Sequence, residues 1–173
     1  MTRAGKSSNF FPSTYLLPSC ELWLKMVYFS QNQHTFVCKK SKNNGGTTPK
    51  PTEAPNGHCP IGFKKFQSQC YKVVQESDTW SNARGKCKQF GYGYDLVSIH
   101  SRKENSFVSS MLYEDSNMDS DEVWIGGLTT SSSAQDFQWS DQSPFNMVNW
   151  ATNQPDGVTK YTLAILNYRI QMM

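Results

Sequence analysis

The spacing of the cysteines constrains this 173-residue chain more than any other feature of its sequence. Gly62 and two aromatic residues lie between Cys59 and Cys70, and this short spacing suits a disulfide across a β-hairpin. No Cys-x-x-Cys pair occurs, so the common zinc-finger and redox patterns are absent. A zinc site formed by His58, Cys59 and Cys70 is the alternative. The disulfide is the better interpretation, and it predicts an oxidising, extracellular setting for a secreted protein.

Composition and charge exclude two classes of partner. No apolar run approaches the roughly 20 residues that span a bilayer, and residues 22–29 are interrupted by Lys25, so no membrane span is expected. The net charge of +3 is unevenly distributed, because residues 59–157 carry eight basic and twelve acidic side chains. An acidic central region argues against nucleic acid as a partner.

The chain divides at a segment rich in Gly, Pro, Thr, Asn and Lys. Residues 41–58 lack apolar periodicity and cannot bury enough surface to offset their ordering entropy, so they are predicted to be a flexible linker. From Cys59 onward the sequence has the apolar density of a folded domain.

Local patterns in this domain predict two helices and several short strands. The first helix is capped by Ser77 or Asp78, and its apolar side consists of Trp80, Ala83 and Cys87. A capping box at positions 101–104 precedes a second amphipathic helix. Strand patterns at 96–100, 123–128 and 137–140 complete the series, and a polar loop follows the last of them. This order predicts an α+β domain.

The ordered set of motifs resembles a C-type lectin domain of the long form, over residues 59–157. The matching pieces, in chain order, are Cys59-Pro60-x-Gly62, Cys70-Tyr71, Trp80-x-x-Ala83-x-x-x-Cys87, Leu96-Val97-Ser98-Ile99, Glu104-x-x-Phe107, Trp124-Ile125-Gly126-Gly127-Leu128, Trp139-Ser140-Asp141, Asn149-Trp150 and Gln154-Pro155-Asp156. The resemblance implies a C-type lectin-like α+β fold with two helices, short antiparallel strands and a long polar loop. Both Trp139 and Trp150 are expected in its core.

The two ends of the chain depart from this pattern. Residues 33–40 resemble the final strand of another C-type lectin domain, so residues 1–40 are interpreted as the remnant of a preceding domain. The alternative is that Phe36-Val37-Cys38 is an ordinary apolar triplet. Residues 158–173 look like an unrelated tail, which would leave the C-terminal strands missing. The chain thus resembles a fragment of a tandem lectin truncated at both ends.

The resemblance places a binding site at Gln154, Pro155 and Asp156. In the family, a cis proline directs the two flanking side chains toward a calcium ion and a sugar, and an X-Pro bond adopts the cis form at small cost. The Gln-Pro-Asp order is similar to that of lectins that prefer galactose-type sugars. Residues 158–173 lack the family's Trp-Asn-Asp strand and its cysteines. The calcium site is therefore expected to be incomplete, and Cys87 to be a free, buried thiol.

Two classes of function remain open after these observations, and a truncated product without binding activity is a third alternative. One is a calcium-dependent galactose-type lectin that binds glycans or glycoproteins in its intact form, with binding impaired in this chain. The other is a lectin-like module that recognises proteins without metal or sugar. The surroundings of His34, His58 and His100 contain no catalytic constellation, so no enzymatic activity is expected.

Overall fold

The protein is an α+β domain, as the sequence predicts. A computed structural model describes residues 23–28, 32–40, 58–115, 122–129, 136–155 and 161–166. The elements in these ranges are β1 (Trp23–Tyr28), β2 (His34–Lys40), β3 (Lys64–Phe66), β4 (Gln69–Asp78), α1 (Trp80–Gln89), β5 (Tyr94–Leu96), α2 (Arg102–Glu114), β6 (Glu122–Thr129), β7 (Phe137–Trp139) and β8 (Tyr161–Leu166). Neither of these two helices is long and apolar enough to cross a membrane.

All eight described strands belong to one mixed sheet. Its main path runs β1-β8-β6-β2-β4-β3, with β5 paired to β2 and β7 paired to β6. Strand β2 is antiparallel to β4 and parallel to β6, so it lies in the middle of the sheet. The central strand is therefore supplied by the segment that precedes the predicted linker.

Two expectations about the chain ends are corrected by this arrangement. Cys38 of β2 forms a disulfide with Cys87 of α1, with 5.4 Å between the two Cα atoms, so the prediction of a free Cys87 thiol is wrong. Residues 161–166 form β8, which pairs with β1 and β6, so strand structure extends into the predicted tail. Strand pairing depends on side-chain pattern and register, which do not require the strands to follow chain order. The origins of residues 1–40 and 158–173 stay predictions.

Helix α1 begins one or two residues later than the sequence suggests. Its N-cap is Thr79, whose side chain accepts a hydrogen bond from Asn82 N. The Asp78 carboxylate instead accepts from Thr79 N and from the Asn82 side chain. The ammonium of Lys86 is the main cause that lowers the pKa of Asp78. The predicted apolar side of the helix is buried, with Cys87 fully enclosed.

Helix α2 is capped by Ser101, whose Oγ accepts a hydrogen bond from Glu104 N at 3.1 Å. The Glu104 carboxylate folds back and accepts from His100 N at 2.8 Å. The capping box therefore closes on the residue before the cap, and the second carboxylate oxygen of Glu104 is directed into the protein interior.

Two apolar clusters lie on the sheet. The larger one joins α2 to strands including β6 and contains the fully enclosed Trp139, with Trp150 packed against it, as expected. The smaller one surrounds the Cys38–Cys87 disulfide and includes Trp80 and Trp124. A second disulfide, Cys59–Cys70, ties the chain ahead of β3 to the start of β4.

Candidate functional site

The long polar loop after β7 is attached to β1 through backbone hydrogen bonds. Leu24 N donates to Asn149 O at 2.7 Å, and Ala151 N donates to Leu24 O at 2.9 Å. This bonding forms a parallel bridge between Leu24 and Trp150. Leu24 is only 3% exposed, so the strand presents an apolar, buried residue at the contact.

The candidate tripeptide lies directly after this attachment. The Gln154–Pro155 peptide bond is cis, and Gln154 N donates to Ala151 O at 3.0 Å, which closes a turn through Asn153 with a positive φ. Gln154 is half-buried and Pro155 is exposed. Asp156 lies outside the described residues.

A hydrogen-bond network, which the sequence does not predict, holds the base of the long polar loop. The Asp141 carboxylate accepts from Ser98 Oγ at 2.6 Å and from Ser143 N at 3.0 Å. The His100 imidazole lies 3.0 Å from Ser98 Oγ and 3.1 Å from Ser143 Oγ. Asp141 follows the Trp-Ser pair that the family motif contains, and here its carboxylate joins the loop to the segment after β5.

A second anchor fixes the end of β7. The Arg84 guanidinium makes a two-pronged contact with Asp95, at 3.0 and 3.1 Å, and also donates to Ser140 O at 2.6 Å. Ser140 Oγ in turn donates to the same carboxylate at 2.8 Å. Paired guanidinium–carboxylate bonds have a strict geometry, so this contact sets where the loop begins.

A buried ion pair joins the central strand to α2. Lys39 Nζ donates to Glu104 Oε1 at 2.6 Å and to Ser98 O at 2.8 Å. The Tyr71 hydroxyl donates to the same Glu104 oxygen at 2.6 Å. Burial, and then the hydrogen bond to Glu104, raises the pKa of Tyr71 far above its usual range. Lys39 and Glu104 are almost fully enclosed, so the pair is part of the core.

The described residues do not fit a complete calcium site. Calcium takes about six to eight oxygen ligands, and the family pattern supplies part of them from a Trp-Asn-Asp strand. The strand beside the loop is β1, which begins Trp23-Leu24-Lys25 and contains no carboxylate or side-chain amide. Across the described ranges, no group of three or more His, Cys, Asp or Glu side chains is placed to hold a metal ion. The side chains of β1 therefore supply none of the carboxylate or amide oxygens of the family's Trp-Asn-Asp strand.

The family model for the lectin C-type domain matches residues 76–165, more than half of the chain. The chain therefore belongs to the C-type lectin family, which confirms the resemblance drawn from its motifs. The matched region includes most of β8 and so extends into the predicted tail.

Individual relatives show the same membership. The chain is 34% identical over 164 residues to lymphocyte antigen 75 of Mus musculus, an alignment that covers 88% of this chain and 9% of that protein. It is 34% identical over 150 residues to C-type mannose receptor 2 of Mus musculus, covering 77% and 10% respectively. Snaclec A11 of Macrovipera lebetinus is 35% identical over 95 residues, covering 53% and 61%. The chain spans no more than about a tenth of the length of the two mouse proteins.

Proposed function

We propose that this chain is an extracellular recognition module of the C-type lectin family, and that its intact form is a calcium-dependent, galactose-type lectin. The cis Gln154–Pro155 turn carries the proposal, because it lies on the long loop at the position of the family's binding tripeptide. Two disulfides, Cys38–Cys87 and Cys59–Cys70, support an oxidising, extracellular setting. The partners proposed for the intact form are glycans or glycoproteins.

The order of the two side chains supports the galactose-type assignment. Gln154 offers an amide, which both donates and accepts hydrogen bonds, whereas the Asp156 carboxylate only accepts. A sugar whose hydroxyls match this order of donor and acceptor is favoured over one that matches the reverse. In this chain two such ligands alone would leave calcium mostly hydrated, so sugar binding is weak.

A specific observation favours a second function for the chain as it stands. Leu24 faces the loop where the family pattern supplies oxygen ligands, and β1 has no residue that replaces them. A domain that keeps the fold without these ligands is suited to recognising proteins through its loop surface. The second candidate function is therefore protein recognition without metal or sugar.

A restored variant distinguishes the two functions. Leu24→Asn with Lys25→Asp returns the Trp-Asn-Asp sequence to the strand beside the loop. We expect the unchanged chain to pass through galactose resin, and the restored variant to be retained with calcium and released by a chelator. The matched control adds Gln154→Ala to the restored variant and should abolish the retention.

Thermal unfolding with and without calcium shows whether the restored variant folds, because Leu24 is a core residue. The lectin assignment would be refuted, and protein recognition favoured, if the restored variant melts cooperatively but calcium does not change its melting temperature. Calcium-dependent retention of the unchanged chain would show that ligands exist outside the described residues.

We also infer that the chain derives from a tandem lectin, with residues 1–40 from a preceding domain, 41–58 as linker and 158–173 as a tail of separate origin. Residues 41–173 make up about three quarters of the chain, so an alignment covering 88% of it must include residues ahead of the linker. The mouse relative therefore has matching sequence on both sides of this linker, in the same order. A full-length transcript that encodes a complete domain before residue 41 would verify the inference.

A further inference from the structure

The central strand β2 is deeply enclosed in the sheet and, like β1, comes from the far side of the linker. Its residues Thr35 to Lys39 are all buried. It pairs with β4, β5 and β6, so removing it would divide the sheet. The remainder of the domain therefore needs a strand at this position to fold.

The connection between β2 and the rest of the domain is much longer than the gap that it bridges. Lys39 lies opposite Tyr71 of β4, which lies opposite Lys64 of β3. Cys59, where the connection ends, is bonded to Cys70 beside Tyr71 with 5.5 Å between the two Cα atoms, so Lys39 and Cys59 are no more than roughly 15 Å apart. The 18 residues 41–58 reach roughly 60 Å when extended. The length of the connection therefore allows β2 to enter either its own domain or that of a neighbouring copy.

We propose that β2 is an exchangeable strand, and that two copies of this chain form a dimer in which each β2 completes the sheet of the other copy. Strand β1 travels with it, because only residues 29–33 join the two strands. The dimer repeats every contact of the closed monomer and differs from it mainly in the entropy of closing the connection. A connection of this kind gives an effective concentration in the range of about 1 mM, so exchange becomes substantial only as the protein approaches that concentration during folding.

Oxidation fixes whichever form is present. The thiols of Cys38 and Cys87 lose two protons and two electrons as their sulfurs join, and one molecule of a small disulfide such as oxidised glutathione is reduced to two thiols. In the closed monomer this bond lies within one chain. In the exchanged dimer two such bonds link the copies, and dilution no longer separates them.

The buried ion pair makes the domain that receives β2 selective for this strand. Lys39 Nζ donates to Glu104 Oε1 at 2.6 Å inside the core. A slip of one residue would turn Lys39 to the opposite face of the sheet and leave Glu104 buried without its cation. The exchanged strand must therefore enter in the same register as in the monomer.

Isotope mixing of the unchanged chain tests the proposal directly. Equal amounts of unlabelled and ¹⁵N-labelled chain, unfolded and reduced, are refolded together with a glutathione redox pair at protein concentrations from about 1 μM to 1 mM. We expect the Cys38–Cys87 fragment from the highest concentration to include mixed-label molecules, making up half of the fragment in a purified dimer. The lowest concentration should give almost none. Absence of mixed-label fragment at every concentration would overturn the proposal.

A charge exchange tests the selectivity with separate donor and acceptor chains. The donor carries Cys87→Ser and the acceptor Cys38→Ser, both with Cys20→Ser, so the Cys38–Cys87 bond can form only between chains. Lys39→Glu in the donor should lower the yield of the linked pair at least several-fold, and Glu104→Lys in the acceptor should restore it. A yield unaffected by these charges would show random thiol pairing and would overturn the ordered exchange.

Discussion

Lys39→Met is the most informative single substitution in this domain. Methionine keeps the length and apolar stem of lysine but removes the ammonium that faces Glu104. The two side chains are only 2% and 6% exposed, so water cannot replace the lost partner. The Glu104 carboxylate would keep its hydrogen bonds from Tyr71 and from His100 N.

The expected loss follows from this geometry. Removing one member of a buried ion pair typically costs about 3–5 kcal/mol, because the other charge is left unpaired. The two remaining donors to Glu104 place the expected value near the lower end, at about 3 kcal/mol. Glu104→Gln in the Lys39→Met background removes the stranded charge, and its amide oxygen can accept from His100 N while its NH2 group donates to the Tyr71 hydroxyl oxygen. The double variant is therefore expected to lose only about 1 kcal/mol.

Urea unfolding of the oxidised protein measures these differences. Lys39→Met, Glu104→Gln and the double variant are each compared with the unchanged chain. A shift in midpoint at constant slope reports stability. The control is Lys64→Met, which removes an ion pair with Glu114 whose side chains are 51% and 62% exposed, so its loss should be well under 1 kcal/mol. If Lys39→Met cost no more than Lys64→Met, or if the double variant were less stable than Lys39→Met alone, the reasoning would be refuted.

Three further outcomes are expected from the structure. The Cys38–Cys87 disulfide closes a loop of 49 residues, and Cys59–Cys70 closes one of 11. Replacing each pair by alanine should lower the free energy of unfolding by about 4 and about 3 kcal/mol respectively. A reversed order in chemical denaturation would contradict this expectation. Gly127→Ala should destabilise by about 1–3 kcal/mol, because the added Cβ would lie 2.3 Å from Leu163 Cδ1. Gly85→Ala on α1, where nothing lies within 4 Å, should instead stabilise by up to about 1 kcal/mol, and equal melting temperatures for the two glycine variants would count against the packing described.

The helices were predictable because their signals are local. The spacing of Trp80 and Cys87 marks one buried face, and the residues that cap each helix lie beside it in the sequence. The partner of Cys87 was not predictable in the same way, because disulfide connectivity cannot be deduced from spacing alone. The family pattern places the partner of Cys87 downstream, whereas Cys38 lies 49 positions upstream. The resemblance of Phe36-Val37-Cys38 to a final strand was the available signal.

The candidate site was predictable only in part. Gln154-Pro155 was identified by its motif, and the cis bond is present. Lys39 gave no sign of burial, because one of two adjacent lysines after an apolar triplet normally lies at the surface. The attachment of Leu24 to the loop was also missed, because it depends on backbone bonding between segments more than 120 residues apart in the sequence.

The Cys38–Cys87 disulfide has a consequence for proteolysis. A protease that cuts between Lys40 and Cys59 would divide the polypeptide in two without dividing the molecule, since the bond and the hydrogen bonds of β2 still join the pieces. The nicked protein would run as one species on a non-reducing gel and as two after reduction. The N-terminal piece would then be a tightly held peptide ligand of the rest, and the reducing strength of its surroundings would determine how long it stays bound.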